Sequence, residues 1–234
     1  MNYAEFFETL RSVYEPVKPL VEKDGKKIML MRHRSLHREI VFRYYREPVR
    51  IYDFLSEIRH ENLPEVYDTY TLDDGYAVLE EYISGASVAE ILETGLYTYS
   101  GAKKVVLQVC AALEELHNNG IVYRDIKPEN ILISDDGRVK LIDFDAARRF
   151  TENKSADTRI LGTLGYAPPE QYGIVQTDYR SDIYSVGVLL NVMLTGKHPS
   201  EYLARGKAGR IIARCTAISP ELRFPDIVKL TVSM

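Results

Sequence analysis

Asp125, Lys127, Asn130 and Asp143 are the residues of this chain whose types and spacing most suggest chemistry. The first three fall within six positions, and Asp143 follows Asp125 by eighteen. Two carboxylates, an ammonium and a side-chain amide can take up a proton, neutralise an anion and offer hard oxygen ligands to a divalent cation. Phosphoryl transfer needs that combination. It requires little covalent help, but it does require a carboxylate at the attacking hydroxyl and oxygens holding Mg²⁺ against the phosphates.

The elements that must position these residues change character along the chain. The first eighty or so residues read as β-rich, with strand-like runs Ile28-Met29-Leu30-Met31 and Ile40-Val41-Phe42 and hairpin signals at Asp24-Gly25 and Asp74-Gly75. One helix interrupts them: Pro48 suits its first position and Val49, Ile51, Tyr52, Leu55 and Ile58 give an apolar face up to His60, before Asn62-Leu63-Pro64 ends it. From Ser87 the pattern is helical, opening with a Ser87/Glu90 capping box. In the next helix Ala102, Val105, Val106, Val109, Leu113 and Leu116 recur at three- and four-residue steps, which predicts one buried stripe. The candidate residues then fall on loops around a hairpin turning at Asp136-Gly137, and another apolar helix is predicted over about Asp182 to Leu194.

Composition narrows the classes. The 234 residues, 45% of them hydrophobic, suffice for a sizeable core in one or two domains. A formal charge of −4 gives no sign of a nucleic-acid partner or of an anionic membrane. Cys110 and Cys215 are the only cysteines, and Cys110 sits in an apolar helical run, so a disulfide framework is not expected and a reducing cytoplasm fits best. The first residues lack the pattern of a signal peptide, and no apolar run is long enough to cross a bilayer. There are no repeats or low-complexity linkers.

The run Tyr123-Arg124-Asp125-Ile126-Lys127-Pro128-Glu129-Asn130, followed by Asp143-Phe144-Asp145, resembles the catalytic loop and metal-binding motif of eukaryotic-type serine/threonine protein kinases. Gly162-Thr163-Leu164-Gly165-Tyr166-Ala167-Pro168-Pro169-Glu170 resembles the end of their activation segment, and its continuation Gln171-Tyr172-Gly173 looks more like bacterial members. The resemblance implies an α+β, two-lobed fold in one domain covering the chain. Its β-rich N-lobe would occupy about residues 14–80, the hinge about 81–85 and the mainly helical C-lobe about 86–230, with nucleotide expected between the lobes. It further implies ATP and Mg²⁺, or Mn²⁺, as cofactors and a protein substrate or regulatory protein as partner. Asp125 would orient and deprotonate the hydroxyl, Lys127 would neutralise the moving phosphoryl group, and Asn130 and Asp143 would hold the metal. Ile28, Val41, Leu132 and Ile142 would pack on the nucleotide while the backbone of Glu81 and Ile83 reads the base. Glu170 would pair with Arg223, and Asp182 would brace the catalytic loop. Arg124 resembles the kinases whose activation segment is ordered by a phosphate, with Thr151, Ser155 and Thr158 as candidate acceptors and an unmodified polar loop as the alternative.

The front of the chain departs from the family pattern. Val21, Lys23 and Lys26 stand where the glycine-rich loop has glycines, so a tight Asp24-Gly25 hairpin is expected in place of a phosphate-covering flap. Lys23, Lys26 and Lys27 would then offer positive charge near a phosphate or form a solvated turn. Arg43 replaces the strand lysine, and no glutamate stands near Ile51 to pair with it. Glu80 takes the gatekeeper position, where a buried carboxylate needs a cation. The expectation is an Arg43–Glu80 pair inside the sheet, the alternative being a one-residue slip that turns Glu80 to solvent. Tyr123 replaces a histidine and should make an aromatic contact, and Asp145 replaces a glycine and should cap the turn at Ala146-Ala147-Arg148. Only 26 residues separate Gly196 from Arg223, so the helix that many kinases use for docking is expected to be short or absent. The leading reading is an ATP-dependent protein serine/threonine kinase. The alternatives are a pseudokinase acting as a nucleotide-sensing or partner-binding scaffold and a small-molecule kinase of the antibiotic or choline type, against which the Pro-Glu segment counts.

Overall fold

The computed structural model describes residues 1–150, 165–168, 170 and 178–234. Thr151, Ser155, Thr158 and Thr163, with most of the 162–173 motif, lie outside the described residues. By their internal contacts the described residues form two units, Met1–Ser84 and Gly85–Met234.

The first unit is an antiparallel sheet with two helices. It runs α1 (Tyr3–Val13), β1 (Tyr14–Lys23), β2 (Lys26–His33), β3 (Glu39–Tyr45), α2 (Ile51–Leu55), β4 (Val66–Leu72) and β5 (Gly75–Glu81), with strand order β1-β2-β3-β5-β4. Strand alternation puts Ile40 and Phe42 of β3 on one face and Val41 and Arg43 on the other. The α1 helix, which the β-rich reading of this region did not anticipate, covers the first face: Phe6 and Leu10 pack on Met31, Ile40, Phe42, Leu72, Ala77 and Leu79. Asn2 and Glu5 cap it reciprocally, and the Tyr3 N–H donates to Asp74 Oδ1 at 2.7 Å, tying its start to the β4–β5 turn.

Two local expectations are corrected. The helix expected from Pro48 to His60 is only Ile51–Leu55, with Pro48 outside it. Arg50 supplies no side-chain cap, and beyond Leu55 the backbone tightens into three-residue bonds, from Glu57 N to Phe54 O and from Ile58 N to Leu55 O. The second hairpin turns at Asp73-Asp74, one residue earlier than expected, because Gly75 already pairs with Leu72. A Cβ on Gly75 would collide with the Tyr44 ring and the Tyr45 carbonyl, so glycine here serves close packing. The first hairpin does turn at Asp24-Gly25, with strand pairing continuing to Lys23 and Lys26.

The second unit contains β6 (Gly85–Ser87), α3 (Val88–Thr94), α4 (Tyr99–Asn118), β7 (Ile121–Val122), β8 (Ile131–Ser134), β9 (Val139–Leu141), β10 (Arg148–Arg149), α5 (Tyr179–Thr195), α6 (Gly206–Cys215) and α7 (Ile227–Ser233). The Ser87/Glu90 box caps α3, and all six stripe residues of α4 are buried. Gly187 of α5 lets α6 approach closely, since a Cβ there would run into Cys215. Among the described residues no helix stands between α5 and α6. Instead the buried Asn191 side chain holds that stretch, donating to the carbonyls of Lys197 and Tyr202 at 2.8 Å each and accepting from Ala204 N at 2.9 Å. Cys110 and Cys215 are free and buried, and burial pushes the Cys110 thiol up to about 12. No described helix is long and apolar enough to cross a membrane.

The docking of α1 is open to test. Phe6→Ala should cost about 3 kcal/mol in urea unfolding, from lost burial and the cavity left behind; a cost below about 1 kcal/mol would mean that the ring is not part of the sheet's core.

Candidate active site

The catalytic-loop residues are held from below by one carboxylate. Asp182, fully buried on α5, accepts from Tyr123 N at 2.9 Å through Oδ2 and from Arg124 N at 2.7 Å through Oδ1. His117 Nε2 lies 2.8 Å from the same Oδ2 and its ring packs on Tyr179. Three neighbours thus fix this carboxylate, as the cost of burying it requires. The bracing role of Asp182 was legible in the sequence. The part of His117 was not, although its place in the last turn of α4 is a signal that could have been used.

Above this brace the chain makes a strained turn. Arg124 has φ 73° and Asp143 has φ 63°, left-handed values that side-chain-bearing residues rarely adopt. Between them, buried Ile126 and Pro128 anchor the loop. The Asp125 carboxylate is largely buried and receives Lys127 Nζ at 2.8 Å and Asn130 Nδ2 at 2.8 Å on its Oδ2. Asn130 Nδ2 also donates to the Asp125 carbonyl at 2.9 Å. With its amino group so engaged, the planar amide turns its oxygen away from Asp125.

Asp143 enters from the end of β9. Ile142 N donates to Asn130 O at 2.9 Å, extending the β8–β9 pairing to the loop itself. Tyr123 makes the expected aromatic contact, edge-on to Phe144 at 5.4 Å, and its hydroxyl also donates to Ile142 O at 2.5 Å. Burial, reinforced by the charges of Asp143 and Asp125, pushes the Tyr123 phenol well above its ordinary value, so it remains a neutral donor. Asp145 lies inside a turn closed by Ala147 N to Phe144 O, and its own N–H reaches Asp143 Oδ1 at 3.4 Å. Leu132 and Ile142 share one face of the β8–β9 hairpin and are half-buried.

Asn130 Oδ1 and the Asp143 carboxylate are oxygen donors of the type a small hard cation takes. An amide oxygen and a carboxylate are what Mg²⁺ accepts when phosphates and water complete its shell. Among the described residues no cluster of three or more His, Cys, Asp or Glu could hold a metal ion.

In the first unit the expected ion pair forms. Arg43 Nε lies 2.7 Å from Glu80 Oε1, with the residues 5% and 3% exposed. They are diagonal neighbours across β3 and β5, where Arg43 stands opposite Val78 and Glu80 opposite Val41. The tyrosines around them were not legible in the sequence. Arg43 Nη1 reaches Tyr45 Oη at 3.5 Å, Tyr45 donates to Tyr52 Oη at 3.3 Å, and the guanidinium lies over the Tyr52 ring. The helix α2 is also fastened through Asp53 Oδ1, which accepts from Tyr76 Oη and from Thr69 Oγ1. Ile28 and Val41 are buried on the Arg43 face of the sheet. Glu81 N donates to Glu65 O, and Ile83 is buried. Lys26 and Lys27 lie over the rings of Tyr45 and Tyr3, which accounts for their half-burial.

The scaffold pairing also forms. Arg223, buried, donates through both terminal nitrogens to the Glu170 carboxylate and caps the carbonyls of Arg180, Ala217 and Ile218.

The protein kinase domain family matches residues 17–226, and the chain belongs to that family. A probable serine/threonine-protein kinase of Clostridium perfringens is 37% identical over 163 residues, covering 69% of this chain and 23% of that protein. PknB of Corynebacterium glutamicum, named a probable serine/threonine-protein kinase, is 38% identical over 62% of this chain and 24% of its own length. The serine/threonine-protein kinase PknB of Mycobacterium tuberculosis is 33% identical over 74% of this chain and 30% of its own length. The chain thus spans about a quarter of the length of the curated relatives it matches. The fold is the α+β kinase fold with bacterial-type relatives, and nothing in these matches supports the scaffold-only alternative.

If Asp182 braces the loop as described, Asp182→Asn should destabilise the protein by about 3 kcal/mol, since an amide cannot accept at both positions. Denaturant unfolding measures this, and a cost below about 1 kcal/mol would contradict the brace.

Proposed function

We propose that this chain is the catalytic domain of a protein serine/threonine kinase that transfers the γ-phosphoryl group of ATP to a protein hydroxyl. The single observation that carries the reading is the Asp125 carboxylate, held by both Lys127 and Asn130 on a loop fixed from below by Asp182. An oriented carboxylate is the group needed to accept the hydroxyl proton, and Lys127 beside it meets the charge of the moving phosphoryl group. Lys127 at this position is also what the serine/threonine class carries. Asn130 Oδ1 and the Asp143 carboxylate would hold Mg²⁺, or Mn²⁺; when bound, the ion supplies charge neutralisation at the phosphates.

Nucleotide contacts fall, on this reading, to Ile28 and Val41 in the first unit and to Leu132 and Ile142 in the second, with the Glu81 and Ile83 backbone reading the base. Arg43, steered by Glu80, would supply the positive charge that the family takes from a strand lysine. Because the Asp24-Gly25 turn leaves no glycine-rich flap, nucleotide affinity should be weak, and tight magnesium-independent ATP binding would count against the reading. The substrate class is a protein, and two buried free thiols suit a reducing cytoplasm.

The test is label transfer from γ-labelled ATP with Mg²⁺ or Mn²⁺, to the chain itself and to a generic protein substrate. Asp125→Asn should lower incorporation at least about a hundredfold while leaving the fold intact. Equal labelling of the variant and the parent would overturn the assignment of Asp125.

A further inference from the structure

The surface left between α5 and α6 carries a concentration of positive charge that the kinase reading does not use. Arg205, Lys207, Arg210 and Arg214 fall within ten residues, and no acidic residue occurs between Glu201 and Glu221, in a chain whose net charge is −4. All four are exposed. Lys207, Arg210 and Arg214 recur at three and four residues along α6 and so line one stripe, while Ala208, Ile211, Ile212 and Cys215 bury the opposite side. Among the described residues Arg205, Arg210 and Arg214 make no ion pair with a carboxylate side chain, and Arg214 lies over the Phe224 ring; Lys207 Nζ is engaged by the O atom of Met234 at 2.7 Å.

Helix stability does not account for this pattern. Arg205 is the N-cap residue and makes no capping bond, Lys207 stands in the first turn, and no acidic residue accompanies them. Cations at the start of a helix oppose its dipole. Beside them lies a recess of about 450 Å³, lined by Tyr99, Leu194, Tyr202, Arg205, Lys207 and Ala208 among others. It combines two aromatic rings with two cations.

We propose that this face binds an extended acidic segment of a protein partner, with one apolar or aromatic side chain seated in the recess and carboxylates along the α6 stripe. Successive cations on the stripe are about 4.5 and 6 Å apart along the axis, shorter than the roughly 6.6 Å repeat of same-side residues in an extended chain, a difference that long Lys and Arg side chains can span. A lipid surface fits less well, since a flat headgroup layer leaves the recess unfilled and meets an acidic protein. Binding here goes beyond phosphoryl transfer and requires neither nucleotide nor metal.

The probe is a fluorescein-labelled short peptide with one phenylalanine followed by alternating glutamate and serine, titrated with the full chain in fluorescence anisotropy without ATP. Binding should weaken with salt, should be lost when lysine replaces glutamate, and should fall about tenfold or more in the Arg205→Glu/Arg210→Glu variant. Arg205→Lys/Arg210→Lys should retain it, which separates lost charge from lost folding. Equal binding by the charge-reversed variant, or no binding of the peptide by the parent, would overturn the proposal. So would sedimentation of the parent, but not the Glu variant, with phosphatidylserine vesicles in the absence of peptide binding.

Discussion

Arg43 and Glu80 place a full positive and a full negative charge inside the first unit, 2.7 Å apart and almost without solvent. Neither could be buried alone, because an isolated charge in that setting costs several kcal/mol. Each is therefore the condition for the other, and the pair fixes the register of β3 against β5: a one-residue slip would turn one of the two to the opposite face, where α1 packs Phe6 and Leu10 on Phe42, and leave its partner alone. The tyrosines follow from the same constraint, since Tyr45 and Tyr52 surround the guanidinium with hydroxyl and ring. In the family pattern the strand cation is held by a glutamate on a helix. Here the cation is held within the sheet, and α2 is reduced to five residues pinned by Asp53.

The second unit solves a similar problem with one buried carboxylate and backbone donors. Asp182 turns two consecutive N–H groups toward itself, and this brace accompanies the left-handed Arg124. The loop beyond then presents Asp125 with its partners already in place. Side chains that would react thus rest on a scaffold of hydrogen bonds that do not take part in the reaction, which is how a site is kept oriented before its substrate arrives.

Much of this was legible in the sequence because it depends on chemistry that tolerates few residue types. The roles of the Asp125 to Asn130 run, of Asp182 and of the Glu170–Arg223 pair followed from the resemblance to kinase motifs, and the sheet-internal Arg43–Glu80 pair from the cost of burying a carboxylate without a cation. The Ser87 box and the stripe of α4 followed from helical periodicity. What escaped depends on tertiary context. The α1 helix is short, and its Phe6 and Leu10 make sense only against the outer face of a sheet formed by later residues. The early end of α2 reflects an absent cap and the fastening of Asp53 to β4 and β5, not propensity. His117 and Asn191 are ordinary residues in the sequence, and their importance lies in groups brought to them from tens of residues or one loop away.

That Arg43 and Glu80 stabilise one another inside the sheet is tested by a double-mutant cycle with Arg43→Met and Glu80→Leu, read by denaturant unfolding. Each single change should cost about 3 kcal/mol or more by stranding a buried charge, whereas the double variant should recover most of that loss, giving a coupling of at least about 2 kcal/mol. Effects that add to within about 0.5 kcal/mol would contradict the claim and leave the two residues as separate occupants of one face.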